Sequence, residues 1–236
     1  DRVRLFDADT GRFLENQAVT AADGRITAVG PAGSLSAPDG GRIIDGQGMT
    51  LVPGLWDAHK HFSNGYDLLA NVATGMTGIR SPGNDLDQLV AAKQARAEGR
   101  MLAPEIFGAV IVDRDDPLSA QGAILVSSEE ETLEAVRRIA EAGLWGVKFY
   151  TSMNPAWIAP AAAEAHRLDL NVLGHVPATM RPLEAVRAGY DEVTHLNFIM
   201  MQALPQEVVD VSNTAARFEG PAQYARDVDL DGPVMT

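Results

Sequence analysis

The chain has 236 residues, 46% hydrophobic and 22% charged, which is enough apolar material for one large domain or two small ones. A formal net charge of −13 argues against nucleic acid or an anionic membrane surface as the main partner. No apolar run approaches the length of a membrane span. With no cysteine there are no disulfides or thiolate metal sites, and the compartment stays open, bacterial cytoplasm and periplasm both being compatible.

The chain starts at Asp1 inside a strand-like pattern, with neither an initiator Met nor a leader, and so reads as trimmed at its N-terminus. Residues 1–51 are expected to form a small, mostly antiparallel β unit. Residues 3–7 alternate, Asp9-Thr10-Gly11 turns, residues 17–20 run on, Asp23-Gly24 is a two-residue hairpin signal, residues 25–30 answer it, and residues 42–45 read as a further strand.

Residues 52–236 form the second expected domain, and the grammar there becomes strand, loop, helix. Strands are predicted at 54–59, 76–80, 105–112, 145–150, 170–175 and 191–196, with helices at 66–73, 86–98, 128–142, 155–168 and 182–188. Ser128 followed by Glu131 is a capping-box pattern, and Gly99, Gly143 and Gly189 stand where helices should stop. The tail at 198–236 offers helical or irregular material and no clear seventh strand. No Gly-x-Gly-x-x-Gly follows the first strand, which counts against an open doubly wound sheet. The fold class is therefore α/β, a partial TIM-like (β/α)8 barrel with its first six strands present.

Pro53 to His61 is the stretch around which the chain is organised, and the apolar run leading into Leu55-Trp56 reads as a buried strand. Side chains on a strand alternate faces, so a strand here would turn His59 and His61 the same way, within reach of one cation. Lys148, His175 and His195 fall at the ends of the fourth, fifth and sixth barrel strands. In a parallel barrel those ends share one rim, where active sites are built. Four of the five histidines would sit on that rim. His166, near a helix end, reads as a surface residue helped by the helix dipole. Asp57, on the same face, reads as a partner holding one of the histidines, with a weak metal ligand as the alternative.

Taken together, Val52-Pro53-Gly54-Leu55-Trp56-Asp57-Ala58-His59-Lys60-His61, Gly146-Val147-Lys148-Phe149-Tyr150, Gly174-His175-Val176-Pro177 and Val193-Thr194-His195 resemble the motifs of the amidohydrolase superfamily of metal-dependent hydrolases. The likeness leans to its imidazolonepropionase-like and Xaa-Pro dipeptidase-like members, and the first domain is similar to part of that family's small β-sandwich. The resemblance implies one or two divalent cations, Zn2+ foremost. His59 and His61 would bind the more buried one, and Lys148, carboxylated by CO₂, would bridge to a second held by His175 and His195. It implies hydrolysis of a C–N bond of amide or peptide type in a small-molecule or dipeptide-like substrate, through a metal-activated bridging hydroxide.

Ala178 stands where deaminase-type members resemble His-x-x-Glu, which favours a two-metal hydrolase. The family's strand-8 aspartate has no counterpart, so the barrel reads as cut short, and residues 1–236 alone are expected to be aggregated or loosely folded and to lack hydrolase activity. An inactive fragment or binding module and a mononuclear deaminase are the alternatives, and a homo-oligomer stays open. Tyr150 is a candidate to hydrogen-bond a substrate carbonyl, with plain packing weighed equally. Arg80 and Arg181 are candidates to clamp a substrate carboxylate, and Phe198, Met200 and Met201 to line an apolar pocket.

Overall fold

The computed structural model describes residues 1–212 and 214, which fall into two compact units divided between Leu55 and Trp56. The part of the tail beyond Thr214, read from the sequence as helical or irregular, lies outside the described residues. Among those described, no helix is long and apolar enough to cross a membrane.

In the first unit, β1 (Val3–Asp7), β2 (Arg12–Ala22), β3 (Arg25–Pro31) and β4 (Thr50–Leu51) form a sheet in the order β3-β2-β1-β4. The β1/β2 and β2/β3 pairs are antiparallel and β4 runs parallel to β1. Asp23 and Gly24 both take positive φ, 51° and 74°, the backbone of a type I′ hairpin turn. The strand expected at residues 42–45 does not form. Ile43 and Ile44 are exposed, and the segment is held by Asp1 and Arg2 instead of a ladder. The N-terminal ammonium donates to the Ile44 carbonyl at 2.7 Å, and Arg2 pairs with Asp45 at 2.5 Å.

The second unit alternates as the sequence predicts: β5 (Leu55–Asp57), α1 (Gly65–Ala73), β6 (Met76–Asn84), α2 (Leu86–Ala97), β7 (Glu105–Arg114), β8 (Ile124–Val126), α3 (Glu129–Glu141), β9 (Gly146–Phe149), α4 (Pro155–Arg167), β10 (Asn171–Gly174), α5 (Pro182–Arg187), β11 (Glu192–Val193), α6 (Leu196–Met200) and α7 (Gln206–Asp210). Its sheet has the order β11-β10-β9-β7-β6-β5, with β8 attached to β7. The β6/β7, β7/β8, β7/β9, β9/β10 and β10/β11 pairs are all parallel.

Local chemistry sets the helices. Ser128 caps α3 by accepting from the Glu131 amide at 3.2 Å, and Thr132, Ala135, Val136 and Ile139 then fall on one buried face. That face joins the core between helices and sheet, where Val110, Val112, Val147, Phe149 and Val172 meet Ile158, Ala161 and Ala165 of α4. Successive residues of β7 face opposite ways, so Phe107 points away from this core and meets Trp56 with ring centroids 5.1 Å apart.

The sheet curls into a half-barrel. Three strands separate β6 from β11, so in a flat sheet they would lie roughly 19 Å apart at the usual strand spacing. Yet Arg80 of β6 reaches Glu192 of β11 at 2.5 Å, its guanidinium lying 4.7 Å from the Trp145 ring centroid. Such a contact forms only across a concave face. Beyond the strands, the His59 and His195 rings stand 4.9 Å apart, although β5 and β11 are the two ends of the described sheet.

Two expectations change here. The first barrel strand stops at Asp57, so His59 and His61 lie past its end and not on it. Nor is that strand buried: Trp56 is 56% exposed, because β5 is an edge strand among the described residues.

Where β10 meets the site, Gly174 has φ 145°, and a Cβ there would stand 2.0 Å from the Phe149 carbonyl oxygen. Gly174→Ala is expected to lower stability by about 3 kcal/mol, from backbone strain together with overpacking. Urea denaturation checks this; a loss below about 1 kcal/mol would show that β10 can draw away from β9 freely.

Candidate active site

The site is built at the C-terminal ends of the parallel strands. The segment after β5 carries His59 and His61, with ring centroids 5.1 Å apart, and His59 is 4.9 Å from His195, which follows β11. His195 is in turn 4.9 Å from His175, which follows β10. His195 has φ 68°, a left-handed backbone uncommon outside glycine, and stands at the turn from strand into α6.

Lys148 of β9 is 2% exposed, and its Nζ lies 5.7 Å from the Tyr150 ring centroid. Burial pulls its pKa from 10.5 down to about 8, against a smaller upward pull from Glu192. Burial, then the Lys148 charge, lowers His59 to about 4, and the same two causes in the same order lower His61 and His195. The rings are thus neutral at pH 7, the form that offers a lone pair to a cation.

Four histidines and Lys148 are therefore gathered on one rim. Among the described residues, however, no set of three or more His, Cys, Asp or Glu is already spaced as a cation cage. The rings are assembled while their donor nitrogens are not converged, and the fifth member is a lysine. One observation bears on the fit of a metal. His59 Nε2 is buried and makes no hydrogen bond, an arrangement that costs free energy unless another partner takes the lone pair. Neutral imidazoles suit zinc and its neighbours.

Several expected residues have other duties. Asp57 holds main chain: its Oδ1 accepts from the His59 amide at 3.0 Å, not from an imidazole. Tyr150 stacks on His175 with centroids 3.8 Å apart, and Phe198 lies across from the same ring at 4.6 Å. The two carboxylate-clamp candidates are engaged elsewhere. Arg80 is paired with Glu192 inside the barrel, and Arg181 Nη1 donates to the carbonyls of Met201, Gln202 and Leu204, each at 3.0 Å, fixing the end of α6. His166 lies in the last turn of α4 and meets Asp191 at 3.0 Å.

Sequence reasoning missed two residues. Thr151 Oγ1 lies 2.9 Å from His175 Nδ1 and orients that ring. Asp113, at the end of β7, is fully buried, and its carboxylate accepts the main-chain N–H groups of Arg114, Ala120 and Ser152. Burial pushes its pKa up to about 6, and its contacts tie the loop after β7 to the loop after β9. Only its place at a predicted strand end could have marked it.

No family profile matches the chain. It is 28% identical over 144 residues to an imidazolonepropionase of Methylobacterium sp. (strain 4-46), an alignment covering 55% of this chain and 34% of that protein. Among solved structures, bottromycin amidohydrolase superposes with a TM-score of 0.72 at 24% identity, covering 95% of this chain and 47% of the other. A Xaa-Pro dipeptidase with bound methionine in its active site gives 0.65 at 16% identity, covering 89% and 63%. The chain thus spans about a third of the length of that curated relative. The half-barrel with its rim of histidines, these relatives and these structures agree on a likeness to the amidohydrolase superfamily.

Proposed function

We propose that this chain carries the cation-binding rim of a hydrolase that cleaves an amide- or peptide-type C–N bond in a small molecule or dipeptide-like substrate. Residues 1–51 serve as part of a small β-sandwich and residues 52–236 as the barrel that bears the site. The observation that carries the reading is Lys148: a lysine 2% exposed, at a strand end, in the field of His59, His61 and His195. A cation-forming side chain is kept among these rings although burial disfavours its charge, which is how functional sites depart from what stability alone would select.

His59, His61, His175 and His195 would hold one or two divalent ions, zinc foremost. When bound, such ions acidify water and polarise a scissile carbonyl. With its pKa near 8, about a tenth of Lys148 is neutral amine at pH 7. That amine can add to CO₂. The N–C bond forms, one proton passes to water, and the carbamate presents two hard oxygens in place of an ammonium. Thr151 sets the His175 ring through Nδ1, and Tyr150 and Phe198 hold its faces. Ala178 supplies no acid at the position where deaminase-type members carry one, which supports hydrolysis over deamination.

The test is an assay of the product of the full reading frame, loaded with zinc and bicarbonate, on N-acyl amino acids and Xaa-Pro dipeptides. Hydrolysis that EDTA abolishes is expected. Release of ammonia from aminated heterocycles, with no hydrolysis of amides, would contradict the reading. Thr151→Val keeps the side-chain shape and removes the hydroxyl. It is expected to weaken zinc binding about 10–100-fold by calorimetric titration, with the fold retained; unchanged affinity would show that Thr151 does not set the ring.

A further inference from the structure

The strand that faces His61 is irregular at one point. Pro82 of β6 pairs with Ala109 of β7 and Asn84 with Val110, so Gly83 is an extra residue in the ladder, a bulge. Bulges next to active sites re-aim side chains. Here the neighbour is an imidazole: Gly83 has φ 141°, and a Cβ on it would stand 2.6 Å from His61 Cε1 and 3.2 Å from His61 Nδ1. The ring of His61 rests on the bare α-carbon.

The main chain on either side of His61 is pinned to the same strand. The Lys60 amide donates to the Arg80 carbonyl at 2.9 Å. Asn84, 6% exposed, grips Phe62 at both ends of its peptide: Nδ2 donates to the Phe62 carbonyl at 2.5 Å and Oδ1 accepts from the Phe62 amide at 3.3 Å. The orientation of that amide is fixed in turn. Ser81 Oγ donates to its Oδ1 at 2.6 Å, and its Nδ2 donates to Gln88 Oε1 at 2.6 Å. Gln88 adds its own bonds to the carbonyls of Phe62 and Ser63, at 3.1 and 3.0 Å. Every polar atom of the Asn84 side chain is committed to residues beside His61 or to holding itself in place for them.

We infer that Gly83 and Asn84 are positioning residues for the site, a bulge and an amide that together seat the His61 imidazole at its place on the rim. This rests on the proposed role of His61 in the functional reading. Because β5 ends at Asp57, the strand itself cannot aim His61, and the seat on β6 does so instead.

The experiment reads the imidazole proton–nitrogen correlations of His61 in the metal-free protein, together with zinc affinity by titration. The variants are Gly83→Ala, Asn84→Asp and, as a control, Gly143→Ala. Gly143 also has a positive φ, 65°, but nothing lies within 4 Å of its would-be Cβ, so it reports backbone strain without a collision. Asn84→Asp keeps the acceptor but turns an oxygen towards the Phe62 carbonyl and Gln88. The expected result is that Gly83→Ala and Asn84→Asp both displace the His61 signals and weaken zinc at least tenfold, while Gly143→Ala leaves both unchanged. His61 signals that stay at their wild-type positions in both site variants would overturn the inference. Should Gly83→Ala not fold, Asn84→Asp decides alone. If the wild type binds no zinc, displaced His61 signals still support the seat, and it is the functional reading that falls.

Discussion

Exchanging Lys148 for methionine is expected to stabilise the metal-free protein at pH 7 by about 1–3 kcal/mol, and to remove hydrolysis. A lysine that titrates at 10.5 in the unfolded chain and near 8 in the fold forfeits about 3 kcal/mol when it is charged and buried. The lower figure allows for relaxation around the new side chain, the attraction of Glu192 being already contained in the folded value near 8. Methionine fills the same slot without the ammonium. The sign fixes the pH dependence. The folded pKa lies below the unfolded one, so the penalty is present in full below pH 8 and disappears as pH rises through 10.5. The advantage of methionine should therefore be measurable by urea denaturation at pH 7 and nearly gone at pH 10.5. A Lys148→Met protein that is less stable at pH 7 would mean the amine is held by structural bonds, and would remove the main support for a functional lysine.

His59→Ala should have the largest effect on cation binding of any single exchange on the rim. Its ring stands between those of His61 and His195, at 5.1 and 4.9 Å, so its loss separates the two ends of the array. Zinc affinity is expected to fall at least about a thousandfold, a loss of roughly 4 kcal/mol. The melting temperature of the metal-free protein at pH 7 should move by only a few degrees, because Nε2 makes no hydrogen bond there that could be lost. Acid behaviour separates the variant further. With a folded pKa near 4 against an ordinary 6.5, the neutral ring contributes stability above pH 6.5 that is lost as pH falls through 4. His59→Ala should accordingly be less acid-sensitive than the wild type. Equal zinc affinity in the two proteins would exclude His59 from the site.

The repeating strand and helix pattern was legible because periodicity and caps act locally: the Ser128 cap and the apolar face of α3 are both read from neighbouring residues. Gathering His59, Lys148, His175 and His195 on one rim needed only the rule that parallel strands end on the same side. The manner in which each is held was not legible. Period two suggested that a strand aims His59 and His61, whereas that strand ends at Asp57 and a bulge on β6 stands against His61. Arg80 and Arg181 read as candidates to clamp a substrate carboxylate. Their partners, Glu192 and the carbonyls ending α6, are distant in sequence and meet them only after the sheet curls. Residues 42–45 alternate like a strand, yet in the fold they are held by the N-terminus and carry no ladder.

The most direct test of the proposed metal-binding rim is anomalous diffraction at the zinc edge from crystals of the protein grown with zinc and bicarbonate. The expected result is a peak within about 2.0–2.1 Å of ring nitrogens of His59 and His61, a second near His175 and His195, and extra density on Lys148 Nζ. Zinc peaks only elsewhere on the surface, with His59 and Lys148 in contact with none, would contradict it.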